Sequence, residues 1–265
     1  MELQQHLAEF EALDVRLMAV SYDSAEVLAA FAEHHGIRYP LLSDEGSRVI
    51  REYGILNTLV QPDEDVYGIP FPGVYLVGED GRVQDKLFHR LYQERDTASH
   101  LLRLLGGDVP AYDNVPAMTA DVDDISVSVQ LATPDLKFMQ RTELLVTLDL
   151  PSALHVNARP LPDGYIPLTV SVTAPEGVHA GDPEYPPGDP FHVDGIDDEL
   201  NVHTGLVQVV VPLRSDLREG DPVTLEVEVR LQACNEQECF LPHTVRMQIT
   251  APIGANASGA PRPPA

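Results

Sequence analysis

The two cysteines of the chain are the residues best suited to covalent chemistry, and both lie in one short segment. Cys234 and Cys239 have four residues between them in the segment ACNEQECFLP, residues 233–242. Period-two alternation predicts a strand over 223–231 that leads into the segment, and another over 243–250 that leaves it. Facing positions of an antiparallel pair bring Cβ atoms to about 4.5–5.5 Å, which is close to the separation in a disulfide. The spacing therefore allows a disulfide with little distortion.

Two interpretations of this pair stay open on the residues alone. Closing so short a loop stabilises the fold by roughly 2 kcal/mol, which is a modest gain for a purely structural bridge. This favours a redox pair over a structural clamp on the hairpin. A zinc site is a poorer interpretation, because two cysteines and His243 do not supply four tetrahedral ligands. Glu236 and Glu238 also bear on reactivity, since carboxylates beside a thiol disfavour its thiolate.

Composition limits the other classes of function. The 265 residues include 17 Lys and Arg against 42 Asp and Glu, a formal net charge of −25. This balance argues against a nucleic-acid partner, because phosphate contacts need clustered basic residues. The sequence has no run of about 18 apolar residues that could insert in a membrane, and its first residues show no signal peptide. It has no phosphate-binding glycine loop, so we expect no cofactor.

The first 107 residues have the pattern of an α/β domain. Apolar residues at helical spacing, with N-cap residues and terminal glycines, predict four helices, and short apolar runs predict three strands. The helices are 2–13, 24–35, one from Ser43 or Asp44 to 53, and 91–105; the strands are 15–22, 74–77 and 83–88, and residues 39–42 are a further short apolar segment.

The pattern changes after residue 107. Residues 108–120 contain two prolines and no periodicity, which predicts a linker. From there to residue 252, six or seven alternating strands predict an all-β sandwich. The long Pro/Gly/Asp-rich insertion at 175–204 suggests a functional loop, and residues 253–265 have the composition of a disordered tail.

The cysteine segment, extended to LQACNEQECFLP, resembles the Cys-bearing hairpin in the N-terminal domain of the DsbD-type membrane thiol:disulfide interchange protein. The resemblance covers about residues 121–250 and includes HVN at 155–157, GYIPL at 164–168, YPP at 185–187 and NVHTG at 201–205. It implies an immunoglobulin-like sandwich in a periplasmic or other extracytoplasmic location. It also implies that Cys234 and Cys239 are the catalytic pair, that thioredoxin-like proteins are the partners, and that the loop around Tyr185 shields the pair.

The first domain resembles the redoxin branch of the thioredoxin-like superfamily, which includes alkyl hydroperoxide reductase and thiol-specific antioxidant proteins. The resemblance covers residues 2–105 and is carried by FAEHHGIRYPLLSDEGSRVIREYGI at 31–55, GIPFPGVYLV at 68–77 and GRV at 81–83. Pro72 lies where that fold has a cis-proline beside its reactive site. We therefore predict a cis Phe71–Pro72 bond and a role for Pro72 in binding a substrate or partner.

The chain departs from the redoxin pattern at the reactive residues. Family members have a reactive Cys at the head of the helix that matches residues 2–13, and this chain has no Cys before Cys234. Many peroxidase members also have an Arg directly after the proline, where this chain has Gly73. The thioredoxin-like domain is thus expected to be incomplete at its N-terminus. We expect the coding sequence upstream of Met1 to encode a strand, a Cys-containing turn and an export signal.

Three functional hypotheses follow. The favoured one is a thiol–disulfide oxidoreductase that exchanges electrons with protein partners through Cys234 and Cys239. The second is a non-catalytic binding module with a structural disulfide. The third is a peroxiredoxin-like hydroperoxidase whose reactive Cys lies upstream of the printed start.

Overall fold

The structure is a computed structural model that describes residues 2–89, 93–107, 114–192 and 199–255. These residues form two units, which divide near residue 110. Each unit has its own apolar core. The smaller core is formed by Phe10, Ala98, Leu101 and Leu102, and the larger lies among the strands of the second unit.

The first unit has the predicted alternation of helices and short strands. Its elements are α1 (Glu2–Gln5), α2 (Leu7–Ala12), β1 (Ala19–Ser21), α3 (Ala25–His35), β2 (Leu41–Ser43), α4 (Arg48–Glu52), β3 (Gly73–Val77), β4 (Val83–Phe88), β5 (Arg95–Asp96) and α5 (Ala98–Leu104). Strands β1 and β2 pair in parallel, and β3 and β4 form a separate antiparallel hairpin. The predicted first helix is divided at His6. The predicted last helix begins only at Ala98, capped by Thr97, because β5 occupies Arg95–Asp96; its first two predicted residues, 91 and 92, lie outside the described ranges.

The caps of two helices explain where the predictions succeeded and failed. Ser24 caps α3 by accepting a hydrogen bond from the Val27 amide, and Gly36 ends the helix with a left-handed φ of 63°. The prediction for α3 is therefore confirmed. Helix α4 begins later than predicted, because Ser47 has a positive φ of 58° and cannot continue a helix. The Asp44 carboxylate instead accepts hydrogen bonds from the amides of Val49 and Ile50.

The predicted cis bond between Phe71 and Pro72 is wrong. Among the described residues the cis peptide is Arg159–Pro160. The chain before Pro72 is already held in an extended conformation, since Leu56 and Pro70 form an antiparallel bridge and the Phe71 amide donates to the Ile55 carbonyl. This extended path continues into β3 through the trans bond that most X–Pro pairs adopt.

The second unit consists of strands, as the alternation predicts. They are β6 (Ala117–Val122), β7 (Ile125–Leu131), β8 (Leu136–Lys137), β9 (Gln140–Asp149), β10 (His155–Ala158), β11 (Thr169–Thr173), β12 (Val178–Ala180), β13 (Asp189–His192), β14 (Glu199–Thr204), β15 (Leu206–Ser215), β16 (Val223–Leu231), β17 (Ala233–Cys234), β18 (His243–Ala251) and β19 (Ile253–Gly254). One sheet has the order β12-β15-β9-β7-β6, a second β11-β16-β18 and a third β13-β14-β10-β17. The inward residues of these strands, such as Val129, Val146, Val209 and Val229, are completely buried.

Three predicted irregular segments contain strands. Strand β6 begins at Ala117, inside the predicted linker, because residues 117–122 pair with β7. Residues 253–254 of the predicted tail pair in parallel with β8. The insertion at 175–204 holds β12, β13 and β14, and two of these belong to the sheet that carries Cys234. Residues 256–265 lie outside the described ranges.

Gly73 provides a test of packing in the first hairpin. A Cβ atom at Gly73 would lie 2.3 Å from the Phe88 ring, which Tyr75 also contacts, with the ring centroids 4.9 Å apart. We expect Gly73→Ala to destabilise the β3–β4 hairpin by about 1–3 kcal/mol, the usual cost of overpacking. Hydrogen exchange of peptides covering 73–88 should be faster in the variant.

Gly78→Ala is the matched control in the same hairpin. Its Cβ would meet chiefly the amide end of Gln84 at 2.5 Å, a flexible group that can turn away. Equal exchange rates in the two variants would show that the Phe88 ring does not need the space at Gly73.

Candidate functional site

Cys234 and Cys239 form a disulfide with an S–S distance of 2.04 Å and a Cα–Cα distance of 3.9 Å. Cys234 ends strand β17 and is only 1% exposed, whereas Cys239 is exposed. The two residues face each other in an isolated antiparallel bridge, as the hairpin spacing predicted. The bridge thus joins a buried sulfur to a sulfur on an accessible loop.

The loop between the cysteines is held by its own hydrogen bonds. The Asn235 side-chain oxygen accepts from the amides of Gln237 and Glu238, at 2.7 and 2.8 Å. The Asn235 amide donates to the Glu238 carbonyl at 2.9 Å, and the Phe240 amide donates to the Ala233 carbonyl at 2.8 Å. These bonds leave Glu236 and Glu238 exposed on either side of Gln237. The loop therefore has a defined shape, with its two carboxylates in solvent.

Strand β10 positions the buried cysteine. His155 is paired with Cys234 on one side and with Thr204 on the other. Paired residues of an antiparallel ladder project from the same face of the sheet. The His155 imidazole and the Cys234 sulfur therefore share a face.

An aromatic ring covers this face. The Phe191 ring, from strand β13, packs against His155 with the ring centroids 4.4 Å apart. Gly188 lets the chain reach this position, because a Cβ there would lie 2.5 Å from that of Ala158. The pairing of His155 with Cys234 joins residues 79 positions apart, so neither hairpin spacing nor strand alternation could have identified His155 or Phe191 as neighbours of the site.

Burial disfavours the charged form of the two buried histidines of this sheet. Burial lowers the pKa of His155. Burial also lowers the pKa of His203, against a smaller opposing effect of the Asp189 charge. Both shifts favour the neutral imidazole, which carries no positive charge to offset the carboxylates of the cysteine loop.

The other two predicted site residues, Tyr185 and Pro72, take no part in the pairing of His155 with Cys234. The Tyr185 hydroxyl accepts a hydrogen bond from the Val170 amide of β11 at 2.8 Å, so its ring is tied to another sheet. Pro72 lies before β3 in the first unit. The shielding role of Tyr185 and the binding role of Pro72 remain predictions.

The remaining candidate is His243, whose Nε2 atom lies 3.2 Å from a carboxylate oxygen of Asp123. Across the described ranges no three His, Cys, Asp or Glu side chains come together as a possible metal site. None of the helices in those ranges is long and apolar enough to cross a bilayer.

The sheets and the disulfide define the second unit as an immunoglobulin-like dithiol domain, and the alternating elements of the first unit define a thioredoxin-like segment. Two family models match these parts of the chain. Residues 1–86 match the AhpC/TSA family, and residues 129–251 match the N-terminal part of the thiol:disulfide interchange protein DsbD. The predicted families and fold class are thereby confirmed.

Individual relatives match parts of the chain only. A Mycobacterium tuberculosis protein described as a peroxiredoxin is 28% identical over 86 residues, which is 31% of this chain and 52% of that protein. The chloroplastic peroxiredoxin Q of Sedum lineare is 29% identical over 98 residues, which is 37% of this chain and 48% of that protein. The chain thus spans about half the length of each.

Two solved structures are loosely similar. The N-terminal periplasmic domain of ScsB from Proteus mirabilis has 15% identity and a TM-score of 0.39, covering 52% of this chain and 51% of that one. The reduced N-terminal domain of DsbD from Neisseria meningitidis has 14% identity and a TM-score of 0.31, covering 52% and 85%. The fold assignment rests on the family models and on the strand pairing.

The buried histidines predict a pH-dependent stability. The folded state keeps His155 and His203 neutral, while the unfolded chain binds protons near the ordinary pKa of 6.5. Stability is therefore lost as the pH falls below that value. We expect the free energy of unfolding of the second unit to decrease between about pH 7.5 and about pH 5.5, as measured by urea titration followed by circular dichroism.

Glutamine variants isolate the contribution of each histidine. His155→Gln and His203→Gln should both flatten this dependence, since glutamine does not titrate. His192→Gln, at an exposed position, should leave the slope unchanged. A slope that is not reduced in either buried-site variant would contradict the assignment.

Proposed function

We propose that this chain is a thiol–disulfide oxidoreductase that exchanges electrons with thioredoxin-like proteins outside the cytoplasm through Cys234 and Cys239. The observation that carries the proposal is the asymmetry of the bridge, with an exposed Cys239 and a buried Cys234. The match of residues 129–251 to a thiol:disulfide interchange family supports it. Cys234 and Cys239, the two cysteines of the sequence, both lie in the second unit.

The asymmetry assigns different roles to the two sulfurs. An attacking thiolate must approach a disulfide sulfur directly, and only Cys239 is exposed to it. Attack on the Cys239 sulfur forms a mixed disulfide and breaks the bond to Cys234, which leaves as a thiolate. A second thiol of the partner then attacks the partner's sulfur in the mixed disulfide. This step releases Cys239 and completes a two-electron reduction of the bridge.

The departing Cys234 thiolate needs a hydrogen-bond donor until it takes a proton from solvent or from the partner's second thiol, because burial in an apolar sheet disfavours its charge. His155 shares the face of Cys234 and stays neutral. A neutral imidazole can present its N–H to the departing sulfur, so we assign His155 a positioning role at the buried cysteine. In the reverse direction the reduced Cys234 and Cys239 pass two electrons to a disulfide of the partner and re-form the bridge.

The reduction potential separates this proposal from a structural disulfide. Structural bridges of secreted proteins have potentials below about −300 mV, whereas exchangeable ones lie higher. We expect the potential of the pair to lie above about −300 mV, in a redox titration read by thiol alkylation of the intact chain. A pair that stays oxidised through this range would support the structural clamp.

Single-cysteine variants test the roles of the two sulfurs. In Cys234→Ser the remaining thiol is the exposed Cys239, and in Cys239→Ser it is the buried Cys234. Native Cys234→Ser should react with iodoacetamide at least about tenfold faster than native Cys239→Ser, because access limits the buried thiol. In denaturant the two rates should converge. Equal rates in the native proteins would contradict the assignment of Cys239 as the attacked sulfur.

A further inference from the structure

The surface around Cys239 combines negative charge with apolar side chains. Phe240 is 37% exposed and Leu241 is 81% exposed, and they directly follow the accessible cysteine. Glu236 and Glu238 precede it and are also exposed. We refer to these four residues and Cys239 as the exchange surface.

The stretch of sequence around Cys239 is acidic. Residues 231–242 contain the two glutamates and no Lys, Arg or His. On the flanking strand β18, Arg246 is paired with Glu228 at 2.9 Å, whereas Arg230, on β16, is exposed before the loop begins. Burial disfavours a positive charge on the histidines of β10 and β14. A thiolate approaching Cys239 therefore meets two carboxylates within the loop itself.

The geometry points to a partner of definite chemistry, on the basis of the exchange reaction proposed above. We infer that the exchange surface selects a redox protein whose reactive thiol lies in an apolar groove bordered by Lys or Arg. Cationic groups beside that thiol would offset the repulsion between its thiolate and the loop carboxylates. The apolar groove would cover Phe240 and Leu241 during attack. Glu236, Glu238 and Leu241 are then the residues that determine specificity.

Small thiols of different charge test the electrostatic part. The probes are cysteamine, 2-mercaptoethanol and 3-mercaptopropionate, which are cationic, neutral and anionic. Each rate of bridge reduction is divided by the rate of the same thiol with an uncharged model disulfide, which removes differences in thiolate fraction and nucleophilicity. We expect the corrected rate of cysteamine to exceed that of 3-mercaptopropionate by roughly tenfold at low ionic strength, because two carboxylates lie within three residues of the attacked cysteine. The ratio should fall as salt screens the charges.

Two double variants of equal charge locate the effect. Glu236→Gln with Glu238→Gln should bring the ratio of the corrected rates close to one, because no loop carboxylate then distinguishes the cationic thiol from the anionic one. Glu219→Gln with Asp221→Asn makes the same change in net charge at the same spacing, at two exposed positions before strand β16, at the opposite end of that strand from the cysteine loop. This control should keep most of the ratio. If both double variants lower the ratio equally, the net charge of the protein selects the thiol and the exchange surface does not.

Peptide thiols test the apolar part. Acetyl-Trp-Cys-Lys-amide should reduce the bridge several-fold faster than acetyl-Gly-Cys-Lys-amide, because the indole can cover Leu241. Leu241→Ser should abolish this preference. Leu206→Ser, at a residue 74% exposed on β15, should retain it. A preference that survives Leu241→Ser would overturn the apolar part of the inference.

The outcomes distinguish this inference from the proposed function. If 2-mercaptoethanol and dithiothreitol both fail to reduce the bridge, the proposed exchange itself is wrong. If they reduce it but charge and apolar surface have no effect, only the partner chemistry is wrong.

Discussion

The pairing of β10 with both β14 and β17 is the constraint on which the site depends. Strand β17 has only two residues, Ala233 and Cys234, and its ladder to β10 fixes them. On the other edge of β10, β14 carries β13 and with it Phe191. One strand of four residues therefore determines where the buried sulfur, its neighbouring imidazole and the covering aromatic ring lie.

A second, longer ladder holds the two strands that flank the cysteine loop. Strands β16 and β18 pair over their full nine-residue lengths, from Val223 opposite Ala251 to Leu231 opposite His243. Their alternate residues fill the core, where Leu225 and Val229 are completely buried. Each Å² of apolar surface removed from water stabilises the fold by about 25 cal/mol. The buried side chains of this ladder therefore make it a stable part of the unit. The cysteine loop extends from its end, where the chain leaves the core.

The sequence predicted those features that depend on local spacing. Alternation of apolar residues identified the long strands, because a one-residue shift would expose the whole inward face. Four residues between Cys234 and Cys239 were enough to predict their bridge. Pairing between distant segments could not be predicted in this way. Strand β13 and the neighbours of β10 have too few residues for a period to show, so His155 and Phe191 emerged only from the three-dimensional pairing.

The first unit shows the same division. Ser24 and Gly36 marked the ends of α3 correctly, since caps act on the residues next to them. The expected cis bond at Phe71–Pro72 came from a family likeness rather than from local chemistry. It failed because the bridge between Leu56 and Pro70 already directs the chain. The pairing of Leu56 with Pro70 depends on how the polar loop between them folds, and the composition of that loop does not specify its fold.

The self-contained hydrogen bonding of the cysteine loop has a consequence for how such domains diversify. Asn235 and the Phe240–Ala233 contact close the loop on itself, so residues 236–238 contribute little to the sandwich beneath. The side chains of residues 236–238 can therefore be substituted together without destabilising the core. Under the proposed exchange, substitutions at these few positions would change which redox protein reacts with the bridge. The same segment is therefore a suitable place to engineer partner specificity.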